Sequence, residues 1–330
     1  MFHHHVKMKD NIAFLFAGQG SQYYGMGYDL YQENHVFREV MDEIDSKIYS
    51  ITAYSVVAEL YNPRNKGLIM DDILYSHPAI FMIEIALAKV LLEAGVKPQY
   101  VLGASLGELV AFVVAGRVSL DDMIKVVMKQ ALTMKQVCKQ INGMMTVLAD
   151  YRKFDWIRNF YPNIELCGIN YNEQFVIAGC KSDLANIKDL LSSQNILSYI
   201  LPINYGFHST LIEEIKPYIE DIILNIETGN GIEIISCTNG KDISSFRPEF
   251  LWDIIRKRIH FPEAFNTLRA KKVCNIIDLS PAGTLANFIN RILDDGDKNI
   301  VATSIITPFK KENKQLEKVC KNLGIIPQEK

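Results

Sequence analysis

The chain has no excess of charge of either sign: its 330 residues hold 35 Lys+Arg against 38 Asp+Glu, a net charge of −3. Nothing in that balance draws the whole molecule to nucleic acid or to an anionic membrane. Cysteine is sparse and scattered: Cys138, Cys167, Cys180, Cys237, Cys274 and Cys320 form no C-x-x-C pair and have no histidine at metal-ligand spacing. Neither a zinc site nor a redox pair is expected, and the thiols read as buried groups in a reducing cytosol. Long apolar runs are missing too. Leu109 to Ala115 is too brief to span a bilayer, and the stretch Ile80 to Val96 is interrupted by Glu84, Lys89 and Glu93. No membrane segment is expected, and the expected location is cytoplasmic. Met1 to Asp10 carries His3-His4-His5 without an apolar signal core, so residues 1–10 read as a tag or a disordered terminus. No internal repeat recurs at a fixed period.

What is present is an ordinary globular composition, 48% hydrophobic and 22% charged, on a length that admits one large α/β domain or two smaller ones. Asn11 to Ala17 is a short apolar run ending at Gly18, which suits a buried strand feeding a tight loop. Helical patterns follow over Tyr28 to Ile48 and His77 to Ala94, then a strand at Tyr100 to Gly103 and a helix to Ala115. Ser119, with Asp122 in the place of a capping-box glutamate, opens a helix through about Lys139. From Asn142 the rhythm becomes β-α-β-β-α-β, closing with a strand at Ile196 to Ile203, which is the ferredoxin-like split unit. A helix after Phe207, a strand near Ile232 to Ser236, helices from Glu249 to Ala270 and a strand at Val273 to Leu279 then resume the larger arrangement. The expectation is α/β: a large α/β-hydrolase-like domain, discontinuous over 11–141 and 205–330, with a small ferredoxin-like domain inserted at 142–204. A cleft between two such domains is a favoured place for a ligand.

The strongest chemical signal is Gly103-Ala104-Ser105-Leu106-Gly107, a G-x-S-x-G between a strand and a helix. The flanking glycines permit the sharp turn that exposes a serine hydroxyl, and the next main-chain N–H can face a developing oxyanion. The bland alternative is a strand-to-helix turn with a capping serine. A serine hydroxyl needs a base to take its proton. Among the histidines, His208 in Asn204-Tyr205-Gly206-Phe207-His208-Ser209 stands where the inserted unit hands back to the larger one, either as that base or as a structural histidine. The second glycine-rich loop, Phe16 to Gln22, fails as a dinucleotide fingerprint because Tyr23 occupies the place of the third glycine; taken alone it reads as a turn.

Phe16 to Gln22, His77-Pro78-Ala79, the Gly103 to Glu108 elbow, Asn170 before Val176-Ile177-Ala178-Gly179, Phe207-His208-Ser209, and Leu279-Ser280-Pro281-Ala282-Gly283 together resemble, in order and spacing, the malonyl-CoA:acyl carrier protein transacylase family. The resemblance covers roughly residues 11 to 300. The wording around Gly20 to Gly27 and Tyr75 to Phe81 looks most like the free-standing, trans-acting members that serve modular polyketide synthases. The resemblance implies a ping-pong acyl transfer. Ser105 takes the acyl group from a thioester, His208 acts as base and then acid, and the N–H groups of Gln19 and Leu106 form the oxyanion hole. It also implies that a main-chain carbonyl orients the imidazole, with Ala264 at the matching place, and that Asn170, Phe207 and His77 belong to the substrate-binding cleft. No metal or resident cofactor is implied, since phosphopantetheine arrives on the carrier protein. The implied partners are acyl carrier protein domains of a polyketide synthase and acyl-CoA, not nucleic acid or membrane.

Two departures from the family pattern matter. Ala104 stands where the family elbow carries histidine. On the helix after the elbow, the arginine whose fork holds the malonate carboxylate is replaced by Gln130, followed by Ala131. A neutral amide cannot compensate a buried carboxylate, whose desolvation costs several kcal/mol without a cation. The expectation is therefore a trans-acting acyl hydrolase that removes acyl groups from carrier thioesters. The alternatives are a malonyl or acyl transferase that loads a synthase, and a catalytically silent module that docks carriers. Arg256-Lys257-Arg258 and Lys271-Lys272 are candidate docking charges, or simply solvated faces.

Overall fold

A computed structural model describes residues 11–243, 247, 249–293, 299–309 and 311–325; the terminus 1–10, expected to be a tag or disordered, lies outside them. The first apolar run becomes β1 (Ile12–Phe16), buried along its whole length. It is followed by β2 (Tyr100–Gly103), β3 (Asn142–Leu148), β4 (Glu165–Tyr171), β5 (Gln174–Cys180), β6 (Leu197–Ile200), β7 (Glu233–Ser236), β8 (Asp242–Ile243), β9 (Ile259–His260), β10 (Asn275–Asp278) and β11 (Val301–Ser304). A six-stranded sheet runs β11-β10-β1-β2-β7-β8, parallel except for β8 against β7. A five-stranded sheet runs β6-β3-β5-β4-β9. The β-α-β-β-α-β order expected from Asn142 onward is present, with helices Lys153–Phe160 and Lys181–Ser193 between the strands. The second sheet is not confined to that segment, however: β9, from the later part of the chain, pairs parallel to β4 through Gly168↔Ile259 and Ile169↔His260.

Strands β3 and β5 show two faces. Met145, Val147, Phe175 and Ile177 pack on the two helices around Leu184, Ile187 and Ile157, whereas the alternate residues Met144, Val176 and Ala178 join the main core. That is the period-two alternation of a sheet covered on both sides.

Two helix expectations need correction. Tyr28 to Ile48 is two helices, Tyr28–Glu33 and His35–Thr52, because Asn34 turns extended and accepts from Phe37 N at its side chain, capping the second. The helices expected from Glu249 to Ala270 are Phe250–Arg256 and Phe261–Ala270, separated by β9. His77-Pro78 does not open a helix but lies inside Ile73–Glu93, whose N-cap is Asp72. Pro78 has no N–H for the Leu74 carbonyl, and the Tyr54 hydroxyl donates to that carbonyl at 3.0 Å instead. This helix is long and apolar enough to cross a membrane by composition alone, yet 83% of its most apolar window is buried inside the protein, as in a core helix.

Candidate functional site

The turn from β2 into helix Leu106–Val114 places Ser105 at φ 56, ψ −126, a conformation that costs a non-glycine residue on the order of 1–3 kcal/mol. The neighbours leave no room for relaxation. A Cβ on Gly107 would sit 2.1 Å from the Phe16 carbonyl oxygen, and one on Gly103 would sit 2.4 Å from Glu108 Cα. Below the turn, Glu108 is wholly buried and accepts from the Ser236 hydroxyl, from Thr238 N at 2.9 Å and from Thr238 Oγ1 at 2.7 Å. Burial pushes its carboxyl up to about 7 against those donors. The elbow is thus pinned from beneath, and the Ser105 hydroxyl projects above it.

His208 reaches that hydroxyl from the opposite side, with Nε2 2.9 Å from Ser105 Oγ. Its backbone is also strained, at φ 62, and its main-chain N–H donates to the Ile255 carbonyl at 2.8 Å. The other ring nitrogen, Nδ1, lies 2.8 Å from the Lys257 carbonyl. A carbonyl can only accept, so the proton sits on Nδ1 and the Nε2 lone pair faces the serine. Burial holds the ring neutral, pushing its pKa down to about 4.

The orienting carbonyl is therefore Lys257, not Ala264. Ala264 lies inside helix Phe261–Ala270, where its carbonyl serves the helical ladder. Lys257 follows helix Phe250–Arg256 in an extended conformation, φ −78 and ψ 151, which turns its carbonyl out of the ladder.

The Gly18-Gln19-Gly20 loop closes over the same point. A Cβ on Gly18 would lie 2.8 Å from Ser105 Cβ and 3.2 Å from Leu106 N, so the loop presses on the elbow. Leu106 is the first residue of its helix, where N–H groups lack a partner in the ladder. The loop is held by Ala17 N donating to Glu84 Oε1 at 2.7 Å and Gly20 N to Gln22 Oε1 at 2.7 Å. Gln22 Nε2 in turn donates to the carbonyls of Met70 and Pro202, each at 3.1 Å. A hydroxyl facing a neutral imidazole, with the first N–H of a helix beside it, can add an oxygen nucleophile to a carbonyl.

Above them is a cavity of about 130 Å³ between the two sheets, lined by Met144, Thr146, Val176, Leu201, Ile259 and Phe288 among others. Asn170 and Phe207 line it, as does Ala104; Asn170 Nδ2 donates to Gln174 Oε1 at 3.3 Å. Among the described residues no lysine, arginine, aspartate or glutamate lines this cavity. Gln130 and His77, expected to touch substrate, do not line it either. His77 stacks against Phe207, with centroids 6.4 Å apart, and its Nε2 meets Gln130 Oε1 at 3.2 Å, so both form a layer behind the wall. Sequence reasoning missed Met144, Thr146, Cys167 and Val176 as cavity residues, although the alternation along the inserted strands carries that signal.

The basic runs are met largely by the chain itself. Arg256 pairs with Glu213, Lys257 with Asp253 at 2.7 Å, and Lys271 with both Glu233 and Asp242, while Arg258 Nε donates to the Leu166 carbonyl at 3.1 Å.

Comparison with known proteins agrees with this arrangement. Residues 13–326 match the family model described as acyl transferase domain. The chain is 38% identical over 314 residues to the polyketide biosynthesis acyltransferase homolog PksD of Bacillus subtilis, covering 94% of this chain and 96% of that protein. It is 37% identical to the homolog BaeD of Bacillus velezensis over the same shares of the two chains. Among solved structures, a malonyl CoA-acyl carrier protein transacylase from Clostridium perfringens superposes with a TM-score of 0.78 at 25% identity, covering 95% of this chain and 97% of that one. A loading acyltransferase from the avermectin modular polyketide synthase superposes with a TM-score of 0.85 at 21% identity, covering 95% and 100%. With its serine elbow, its facing imidazole and a family match over nearly its whole length, this chain belongs to the acyl transferase domain family.

Proposed function

We propose that this acyltransferase-family protein is an acyl hydrolase of polyketide biosynthesis, which discharges neutral acyl groups from carrier-protein thioesters. The single observation that carries the reading is the cavity over Ser105 and His208, to which none of the described residues offers a cation for a carboxylate-bearing acyl group. In the larger frame, we read the described residues of 11–141 and 205–325 as the α/β-hydrolase-like part and 142–204 as a ferredoxin-like insert whose sheet takes β9 as an edge strand, with the cavity between them.

His208 Nε2 takes the Ser105 proton as Oγ attacks the thioester carbonyl, and Nδ1–H leans on the Lys257 carbonyl as the ring becomes charged. The N–H groups of Gln19 and Leu106 receive the oxyanion. The carrier thiol leaves with the proton held by His208, giving an acyl-Ser105 ester. A water then gives its proton to His208 and attacks the ester, and the acid leaves as Ser105 recovers its hydroxyl. The phosphopantetheine arm belongs to the substrate, and the chemistry calls on no resident cofactor.

Transfer to a second carrier or from acyl-CoA is the other reading, favoured by the acyltransferase names of PksD and BaeD. Acetyl-, butyryl- and malonyl-loaded carriers, each incubated with the protein beside an empty carrier and weighed by mass spectrometry, separate the two. Loss of acetyl and butyryl to water is expected. Arrival of the acyl group on the empty carrier faster than its loss to water sinks the hydrolase reading.

A further inference from the structure

Gln19 carries one of the two N–H groups assigned to the oxyanion, yet it lies between two glycines, and Gly20 adopts φ 105. So free a stretch needs an anchor to fix its aim. The Gln19 side chain supplies one: its Nε2 lies 3.2 Å from Ser76 Oγ and 3.2 Å from His77 Nδ1. Behind it, His77 Nε2 meets Gln130 Oε1 at 3.2 Å.

The protons along this row are determined by chemistry. An amide nitrogen can only donate, so His77 Nδ1 accepts from Gln19 Nε2–H. Burial keeps the ring neutral, its pKa pushed down to about 4, so the one ring proton sits on Nε2 and is donated to Gln130 Oε1. The row runs in one direction, from Gln19 through His77 to Gln130, and ends on a buried Gln130 Nε2 without a hydrogen-bond partner among the described residues. An apolar residue at 130 would remove that unpaired group, but it would also take the acceptor from His77.

We infer that His77 and Gln130 are positioning residues: they hold the Gln19 amide in one orientation and so keep its main-chain N–H aimed at the thioester oxygen over Ser105. The inference rests on the acyl-transfer reading of Ser105 and His208. It gives position 130 a second consequence. Arginine there has donors only and would confront His77 Nε2–H, so the ring would have to change tautomer and Gln19 would have to turn its Oε1 toward Nδ1–H. A cation at 130 and the oxyanion loop are coupled through one imidazole.

The test compares His77→Leu, Gln130→Leu, their combination, and His77→Gln, whose amide can accept from Gln19 and donate to Gln130. The substrates are acetyl- and butyryl-carrier, with Ser105→Ala as control and thermal melting as a check on folding. Each leucine variant is expected to lose roughly 10–100-fold in kcat with KM within about twofold, since a misaimed oxyanion donor acts in the transition state. The double variant is expected to be no worse than His77→Leu, as befits one row, and His77→Gln to recover to within about threefold of the native rate. The acidic limb set by His208 should not move. Should His77→Leu not fold, Gln130→Met keeps the volume, removes the acceptor and carries the same expectation. Native kcat in the leucine or methionine variants, additive losses, or His77→Gln no better than His77→Leu overturns the positioning role. Hydrolysis that survives in Ser105→Ala overturns instead the acyl-enzyme reading beneath it.

Discussion

In the proposed mechanism His208 works as a neutral base, and burial pushes its pKa from the ordinary 6.5 down to about 4. The proton-accepting ring is the form above the pKa, so kcat/KM for acyl-carrier hydrolysis should hold through pH 6 and fall only near 4. A limb at about 6.5 in the pH profile would mean a solvated histidine. The sign for stability is the same. A ring whose pKa is lowered by folding contributes stability in full above 6.5 and loses it as pH falls toward 4. At this scale the Ser105/His208 pair was legible, because a hydroxyl nucleophile and an imidazole must be particular side chains. The Lys257 carbonyl was not, because any residue has a carbonyl and only the end of helix Phe250–Arg256 decides which one is free. His77 and Gln130 stood out in the sequence, but as residues that touch substrate, and the structure sets them behind the cavity wall, since order along the chain carries no depth.

Elements bring the pair together, and their closest approaches are backbone on backbone. Gly107→Ala would set a methyl group 2.1 Å from the Phe16 carbonyl, and neither side of that contact is a flexible side chain. Its unfolding free energy should drop by roughly 2–4 kcal/mol, read from denaturant midpoints at unchanged slope. A loss under about 0.5 kcal/mol would show that helix Leu106–Val114 can lift from β1 freely. Gly18→Ala tests the loop rather than the fold. Its methyl group would meet Ser105 Cβ at 2.8 Å and push the Gln19 donor away, so kcat should fall by about 10²-fold with little change in melting temperature. Native kcat in that variant would separate the loop from the chemistry. Strands and helices of the inserted segment were legible from alternation and length. The break at Asn34 and strand β9 were not. One turns on a single capping side chain inside an otherwise continuous helical pattern, and the other is Ile259–His260, too short to show any period.

Seen whole, the molecule closes two sheets over Ser105, and among the described residues none brings a carboxylate, ammonium or guanidinium to the space between them. Desolvation makes that space a filter: an acyl chain loses nothing by entering, whereas a carboxylate enters at a cost of several kcal/mol unless a cation meets it. Placing one there should reverse the preference. Met144→Lys, on the inserted strand that faces the cavity, should raise the malonyl-to-butyryl ratio of kcat/KM at least about tenfold, while an unchanged ratio would place the acyl group elsewhere. The overall α/β order and the family were legible from motifs held in sequence. The empty field of the cavity was visible only in part, as the missing arginine, because neutrality of an enclosed space depends on every residue that lines it. Most direct is the mass of the intact native protein after brief exposure to equal amounts of butyryl- and malonyl-carrier. The account predicts butyryl on Ser105 and no malonyl; malonyl on Ser105 in equal or greater amount would contradict it.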